Sequence, residues 1–264
     1  MHLLMQAGIC YNTDNMRITV QENDIKGLLR LWRGEVICLD TVDSTNIFAK
    51  GTDNDCVVIA AAQTHGRGRL DRPFASTKGG LYMTVRISVE DEEVLAYPVL
   101  ASLAVAEALD EVLGETYAEI KWPNDILIGG RKICGILTEL IHVEDIGVRK
   151  KAQLLVGIGV NVRNELPDDL PLAGNIRELT GREIDINRLA ALIADNLKRV
   201  FNSAPELKRE YIKHVEKRCV TMGQEVFAAG PGVRGTAVRL DDSGAVILKT
   251  PDNREVTVSF GDVS

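Results

Sequence analysis

The chain has 264 residues, 45% hydrophobic and 26% charged, proportions of a globular protein with one large core or a core plus a small appendage. Its formal net charge of −7 argues against a general affinity for nucleic acid, so any anionic ligand must meet a local cluster of cations. No run of about 18 apolar residues could span a bilayer, and Met1–Cys10 lacks the pattern of a signal peptide, so a cytoplasmic protein is expected.

Residues 1–34 carry scattered apolar positions (Ile18, Val20, Ile25, Leu28, Leu29, Leu31) and read as an extension, too short for a DNA-binding winged helix. Glu35–Leu39 and Cys56–Ala62 suit buried strands, and between them Ser44 caps a short helix through Phe48 that Gly51 ends. Leu81–Ser88 alternates apolar and polar residues with the period of a half-buried strand. Val94–Leu113 reads as an amphipathic helix, with acidic Asp91-Glu92-Glu93 at its start and Gly114 past its end. Strand-like runs follow at Thr116–Trp122, Ile133–Leu140 and Gln153–Val162, the last two separated by the charged stretch His142–Lys151, a hairpin or longer turn. Helices are expected from Asp185 to Phe201 and from Pro205 to about Val215. Beyond Lys217 the runs Gln224–Ala228, Val233–Leu240, Ala245–Thr250 and Glu255–Phe260, divided by turn signals, predict a small antiparallel barrel.

The five cysteines (Cys10, Cys38, Cys56, Cys134, Cys219) are scattered, odd in number and never spaced Cys-x-x-Cys. Structural thiols fit that pattern better than disulfides or a zinc site. The four histidines show no metal-binding helical pairing.

Four constellations could carry chemistry. Gln63-Thr64-His65-Gly66-Arg67-Gly68-Arg69-Leu70-Asp71-Arg72 follows a buried strand. Its glycines allow close backbone approach and its three guanidinium groups supply forked donors to phosphate or carboxylate; the competing reading is a solvated turn. Neither a Walker loop nor a Gly-x-Gly-x-x-Gly fingerprint is present, since Asp71 and Val162 stand where third glycines belong. Lys121-Trp122-Pro123-Asn124-Asp125 sits at a strand end, as a ligand site or as a turn with a packed tryptophan. Gly130-Arg131-Lys132-Ile133-Cys134-Gly135-Ile136-Leu137-Thr138-Glu139 opens a buried strand after a Gly-Gly turn, and its Lys132 can point one ammonium into a pocket or into solvent. Gly157-Ile158-Gly159-Val160-Asn161-Val162 is a glycine-interrupted strand that something, ligand or backbone, must approach closely.

In this order the strings resemble the biotin–protein ligase family over about residues 35–264. Asp43-Ser44-Thr45-Asn46 looks like its first biotin-contacting segment, Gln63 with Gly66-Arg67-Gly68-Arg69-x-x-Arg72 is similar to its adenylate loop, and Lys121–Asp125 followed by Lys132 matches its central motif. Gly157–Val162 and Leu179–Glu183 also look like family segments. The resemblance implies an α+β fold: a mixed sheet with helices packed on one face, like a class II aminoacyl-tRNA synthetase core, plus a small C-terminal SH3-like barrel. The expected division is an extension at 1–34, a catalytic domain at 35–216 and the barrel at 217–264.

It further implies that biotin is activated by ATP with Mg²⁺ and passed to a lysine of a biotin carboxyl carrier protein domain. No nucleic acid or membrane partner is expected; a homodimer is. The implied catalytic residues are Lys132, Arg69 and Asp125. Ser44, Thr45, Asn46, Gln63, Gly66, Arg67, Gly68, Arg69, Trp122, Lys132 and Gly135 would surround biotin or its adenylate. Arg67, Arg69, Arg72, Lys121, Asn124, Lys132 and Asn161 would hold ATP. Two features depart from the family pattern: Arg72-Pro73-Phe74 replaces the common tryptophan, and residues 1–34 have no counterpart. The alternatives are a lipoate or octanoate–protein ligase and a non-catalytic biotin-binding regulator.

Overall fold

The computed structural model describes residues 20–91, 96–147 and 149–259. The expectations placed on residues 1–19, on 92–95 (with the helix start expected at Val94), on 148 and on 260–264 lie outside them.

The first described element is α1 (Glu22–Leu28), which buries Ile25. The chain after it is clasped by Asp195, whose carboxylate accepts the N–H groups of Arg30 (2.6 Å), Leu31 (2.9 Å) and Trp32 (2.7 Å). One carboxylate thus serves three donors, of which that of Trp32 is buried and would be costly unpaired. Trp32 consequently joins the core at 3% exposure. From residue 20 onward, then, the segment read as an extension is part of the globule. Its anchor, Asp195, lies too far along the chain for local pattern to reveal.

The main sheet comprises β1 (Glu35–Val42), β2 (Cys56–Gln63), β3 (Leu81–Asp91), β4 (Glu119–Lys121), β5 (Asp125–Ile128), β6 (Arg131–Ile146) and β7 (Arg149–Val160). Its order is β1-β2-β3-β7-β6-β5-β4, with β1 and β2 parallel and every other neighbour antiparallel. Strands β6 and β7 run straight through the charged stretch expected as a turn. Register explains this: Lys151 on β7 stands opposite Glu90 on one side and Glu144 on the other, so opposed charges extend the ladder. Strand β3 likewise continues to Asp91, and β4 is only three residues long.

Alternation along β3 divides the molecule. Leu81, Met83, Val85, Ile87 and Val89 face the main core, against α3 (Tyr97–Leu113) and α5 (Ile186–Phe201), with α6 (Pro205–Arg218) beside them. Asp185 caps α5 by accepting the Asn187 and Arg188 N–H groups, and Gly114 closes α3 in the left-handed region. Helix α3 is buried around most of its girth rather than on one stripe, because sheet, α5 and α6 enclose it.

The opposite face, carrying Tyr82, Thr84 and Arg86, receives α2 (Thr45–Lys50) over a small cluster of Ala49, Cys56, Val58 and Leu155. The long helices therefore lie on one face, while α2 and the loops occupy the other. A short α4 (Ile176–Thr180), absent from the sequence reading, precedes α5.

The C-terminal strands β8 (Glu225–Ala228), β9 (Val233–Leu240), β10 (Val246–Lys249) and β11 (Glu255–Val258) form a separate antiparallel sheet in meander order. Its short strands and turns are those of an SH3-like unit.

Candidate active site

The α2 face of the sheet forms one wall of a cleft of about 940 Å³. Cross-strand register places its side chains in rows. One row runs Lys121, Asp125, Gly135, Gly159, Tyr82, Ala60; the next runs Leu137, Gly157, Thr84, Val58. The missing side chains at 157 and 159 answer the question the glycine-interrupted strand posed. A Cβ at Gly157 would collide with the Asn46 amide, and one at Gly159 with the Phe74 ring. Both close approaches are made by side chains, and Phe74 lies over Gly135 as well.

Lys132 reaches this face through a bulge. Ile126 pairs with Cys134 but Leu127 pairs with Lys132, so Ile133 is the extra residue on β6. Alternation without the bulge would send Lys132 into the core beside Cys134; one extra residue flips it to the side of Gly135. There its ammonium meets the Asp125 carboxylate at 2.7 Å, both groups partly exposed to the cleft. Backbone bonds to the 163–175 loop fix its strand end: Lys132 N–H donates to Leu172 O (2.8 Å) and Lys132 O accepts from Gly174 (2.9 Å).

The arginine loop folds on itself, with Gly68 N–H donating to Arg72 O (2.8 Å), Phe74 N–H donating to Gly66 O (2.9 Å), and Leu70 at positive φ. Gly66 is required where it stands because a Cβ would strike Ser76 and Phe74. Arg69 donates to Asn124 Oδ1 at 3.0 Å, while Asn124 Nδ2 donates to Ile136 O at 2.6 Å, so the loop is latched to the Lys121–Asp125 segment. Arg67, Arg69, Arg72, Lys121 and Lys132 all line the cleft, with Asp125 and Asp169 as its carboxylates. In a chain of net charge −7 this is a strong local excess of cations.

At the other end, Gln63 Oε1 accepts from the Thr45 N–H (2.8 Å) and lies 3.1 Å from the Thr45 hydroxyl, and Gln63 Nε2 donates to Ser76 (2.9 Å). Ser44, buried, makes no side-chain cap to α2. Asn161 borders the cleft beside Asn164, whose Nδ2 donates to it at 3.2 Å.

The site residues singled out by sequence thus converge on one cleft, except Gly66, which lies in the loop behind it, and two of them are committed elsewhere as well. The Trp122 indole N–H donates to Gly244 O (2.9 Å) in the C-terminal unit, and both ends of the Asn46 amide bond protein groups. Trp122 precedes a cis Trp122–Pro123 bond. Sequence reading named Glu139 only as the end of the Gly130–Glu139 string and gave it no role, and it missed Thr84, whose polar position on an alternating strand was the available signal. It also missed Asp169–Ala173 and the Ala229-Gly230 turn, which complete the walls.

Among the described residues no cluster of three or more His, Cys, Asp or Glu could hold a metal, and no helix is long and apolar enough to cross a membrane. Burial raises the Cys38 thiol to about 11, with nearby Glu22 adding to the effect, and also raises Cys56 and Cys134.

An open mixed sheet backed by helices, with a cation-rich cleft bordered by a glycine–arginine loop, defines a class of α+β domains suited to anionic ligands. Residues 34–161 match the model of the Biotin/lipoate A/B protein ligase family, and residues 221–264 match the Biotin protein ligase C terminal domain. The chain belongs to the biotin–protein ligase family. It is 34% identical over 230 residues to a biotin–[acetyl-CoA-carboxylase] ligase of Mycobacterium tuberculosis, covering 81% of each chain. Against the bifunctional ligase/repressor BirA of Bacillus subtilis it is 31% identical over 74% of this chain but spans only 61% of that protein. Among solved structures, the biotin protein ligase of Aquifex aeolicus in complex with biotin and ATP superposes with a TM-score of 0.73 at 30% identity, over 87% of this chain and 97% of that one.

Proposed function

We propose that this chain activates biotin with ATP to biotinyl-5′-adenylate and transfers the biotinyl group to a lysine of a biotin carboxyl carrier domain. The observation that carries the reading is Lys132, turned by the Ile133 bulge out of the core and into a cleft where five cations face two carboxylates.

The first step brings two anions together. A carboxylate oxygen of biotin attacks the α-phosphorus as the bond to pyrophosphate breaks, so cations around that phosphorus lower the barrier most. Lys132, ion-paired with Asp125 at 2.7 Å, is the cation for the space between the biotin carboxylate and the α-phosphate. Ser44, Thr45 and Gln63 hold the ureido end of biotin. Arg67 and Arg69 close over the adenylate, with Arg72, Lys121 and Asn161 toward the nucleotide, and keep water from the mixed anhydride. In the second step the carrier lysine amine attacks the acyl carbon, the bond to the AMP phosphate oxygen breaks and the amine gives up a proton; Asp125 is the carboxylate we assign as partner of that amine.

Mg²⁺ fits only as an ion carried on the phosphates, because one cleft carboxylate is paired with Lys132 and Asp169 alone makes no cage. When bound, it offsets phosphate charge. A homodimer is supported by the edge of β6: β5 pairs it only as far as Gly135, and beyond that Leu140 and Val143 are exposed. Unpaired buried thiols agree with a cytoplasmic protein.

The test is mass spectrometry of a biotin carboxyl carrier domain incubated with biotin, Mg·ATP and the protein. The expected product gains one biotinyl group on one lysine, and Lys132→Ala gives none. Near wild-type pyrophosphate release by Lys132→Ala would remove the assignment. Calorimetric titration with biotin against lipoate decides the substrate, and the match to the biotin ligase C-terminal model favours biotin.

A further inference from the structure

We propose that Glu139 is a positioning residue for biotin recognition, acting through Asn46 to hold the start of α2 against the sheet. This rests on the reading that Ser44, Thr45 and Gln63 hold biotin.

Asn46 is the second residue of α2, is 8% exposed, and projects into the space that Gly157 leaves on β7. Its Nδ2 donates to Glu139 Oε2 on β6 at 2.7 Å, and its Oδ1 accepts from the Thr84 hydroxyl on β3 at 2.6 Å. Thr84 also lies 2.8 Å from the Thr45 hydroxyl; with the Thr84 proton on Asn46 Oδ1 that contact is made by the Thr45 proton, and the Thr45 N–H keeps the bond to Gln63 Oε1 at 2.8 Å. An unbroken chain of hydrogen bonds therefore runs Glu139, Asn46, Thr84, Thr45, Gln63 across four elements.

Only one member sets its polarity. An ionised carboxylate accepts and cannot donate, so Glu139 dictates which end of the Asn46 amide faces it. That leaves Oδ1 for Thr84 and fixes the rotation of the Thr84 hydroxyl, hence the direction in which the Thr45 hydroxyl donates. The Asn46 amide is too enclosed by Gly157 to reorient without breaking these bonds. Arg86, two residues beyond Thr84 on β3, holds the far end of the helix, donating to Ala49 O at 3.4 Å and to Gln153 Oε1 at 2.9 Å. Helix α2 is thereby pinned at both ends. Glu139 stands one row beyond Leu137 along β6, away from Lys132, so its action falls on biotin binding and not on phosphoryl chemistry.

The experiment measures biotin KM, ATP KM and kcat for pyrophosphate release on the full chain, with thermal melts of every variant. Glu139→Leu removes the acceptor and is expected to raise biotin KM about tenfold, with ATP KM and kcat within about twofold. Asn46→Asp sets two carboxylates against each other and is expected to raise it similarly. The double variant N46D/E139Q restores a donor–acceptor pair with reversed polarity and is expected to recover most of that loss. A purely structural role would lower the melting temperature and kcat together and leave biotin KM unchanged. Wild-type biotin KM in Glu139→Leu, or no recovery in the double variant, would overturn the inference; if Glu139→Leu does not fold, the comparison of N46D with N46D/E139Q decides alone. Gln63→Ala and Thr45→Val serve as references: unchanged biotin affinity in both would sink the reading beneath the inference, whereas a loss there with none at Glu139 sinks the inference alone.

Discussion

Arg69 is the residue whose environment constrains its role most. Its guanidinium donates to Asn124 Oδ1 at 3.0 Å, and Asn124 is itself held by the Ile136 carbonyl, so the loop is latched to the strand end that carries Asp125. Removing the latch opens the cleft roof rather than the chemistry. Arg69→Ala is therefore expected to form adenylate at a rate within about tenfold of wild type but to release it, raising biotinylation of bystander lysines. Retention of the intermediate as tight as in wild type, measured by filtration of labelled adenylate, would show that the loop does not act as a lid. The cysteines allow a second test at this scale. A thiol raised to about 11 is roughly a thousandth ionised at pH 8, and alkylation runs through the thiolate. Native Cys38 is expected to resist iodoacetamide at pH 8, along with the buried Cys56 and Cys134, while denatured chain is alkylated at all three. Peptide mapping reads each site separately, and rapid native labelling of Cys38 would refute the burial argument.

At the scale of elements, the strands other than β5, together with α5, were legible because each is signalled locally, by an apolar run, by alternation or by a helical period. What was not legible was facing. No local pattern announces that Ile133 is a bulge, yet that residue decides whether Lys132 meets the core or the cleft. The glycines of β7 showed that something comes close, but only the fold identifies Asn46 and Phe74 as the visitors. Gly159→Ala is thus expected to push Phe74 off its floor, costing about 1–3 kcal/mol by overpacking and weakening ligand binding. Gly27→Ala is the control: it lies in α1 with open space around its Cβ position, and is expected to gain up to about 1 kcal/mol from helix propensity. Calorimetric melts that moved both variants in the same direction would contradict this account of the two sites.

For the whole molecule the question is whether the C-terminal sheet is a passenger. Sequence texture changes near Lys217, but that change could not show how the C-terminal sheet is attached. The attachment is made largely by the central motif itself. The indole of Trp122 donates to Gly244 O at 2.9 Å, the Trp122 N–H donates to Thr221 Oγ1 at 3.1 Å, and Val220 N–H donates to Ile120 O at 2.9 Å. Glu216 on α6 accepts the Leu240 N–H at 2.6 Å, and Gly244 packs on Val99 of α3. Meanwhile Ala229 and Gly230 of the same unit line the cleft. Trp122 therefore couples the unit to the strand end that presents Asn124 and Asp125, and its place in the motif is explained by this docking. Trp122→Phe keeps most of the apolar volume and deletes the donor, leaving the Gly244 carbonyl without its partner. The expected cost is about 1–3 kcal/mol, seen as a lower melting temperature. ATP KM is expected to rise severalfold, because the Ala229-Gly230 wall is no longer held in register with the cleft. If the unit were an independent passenger, Trp122→Phe would leave both the main unfolding transition and ATP KM at wild-type values.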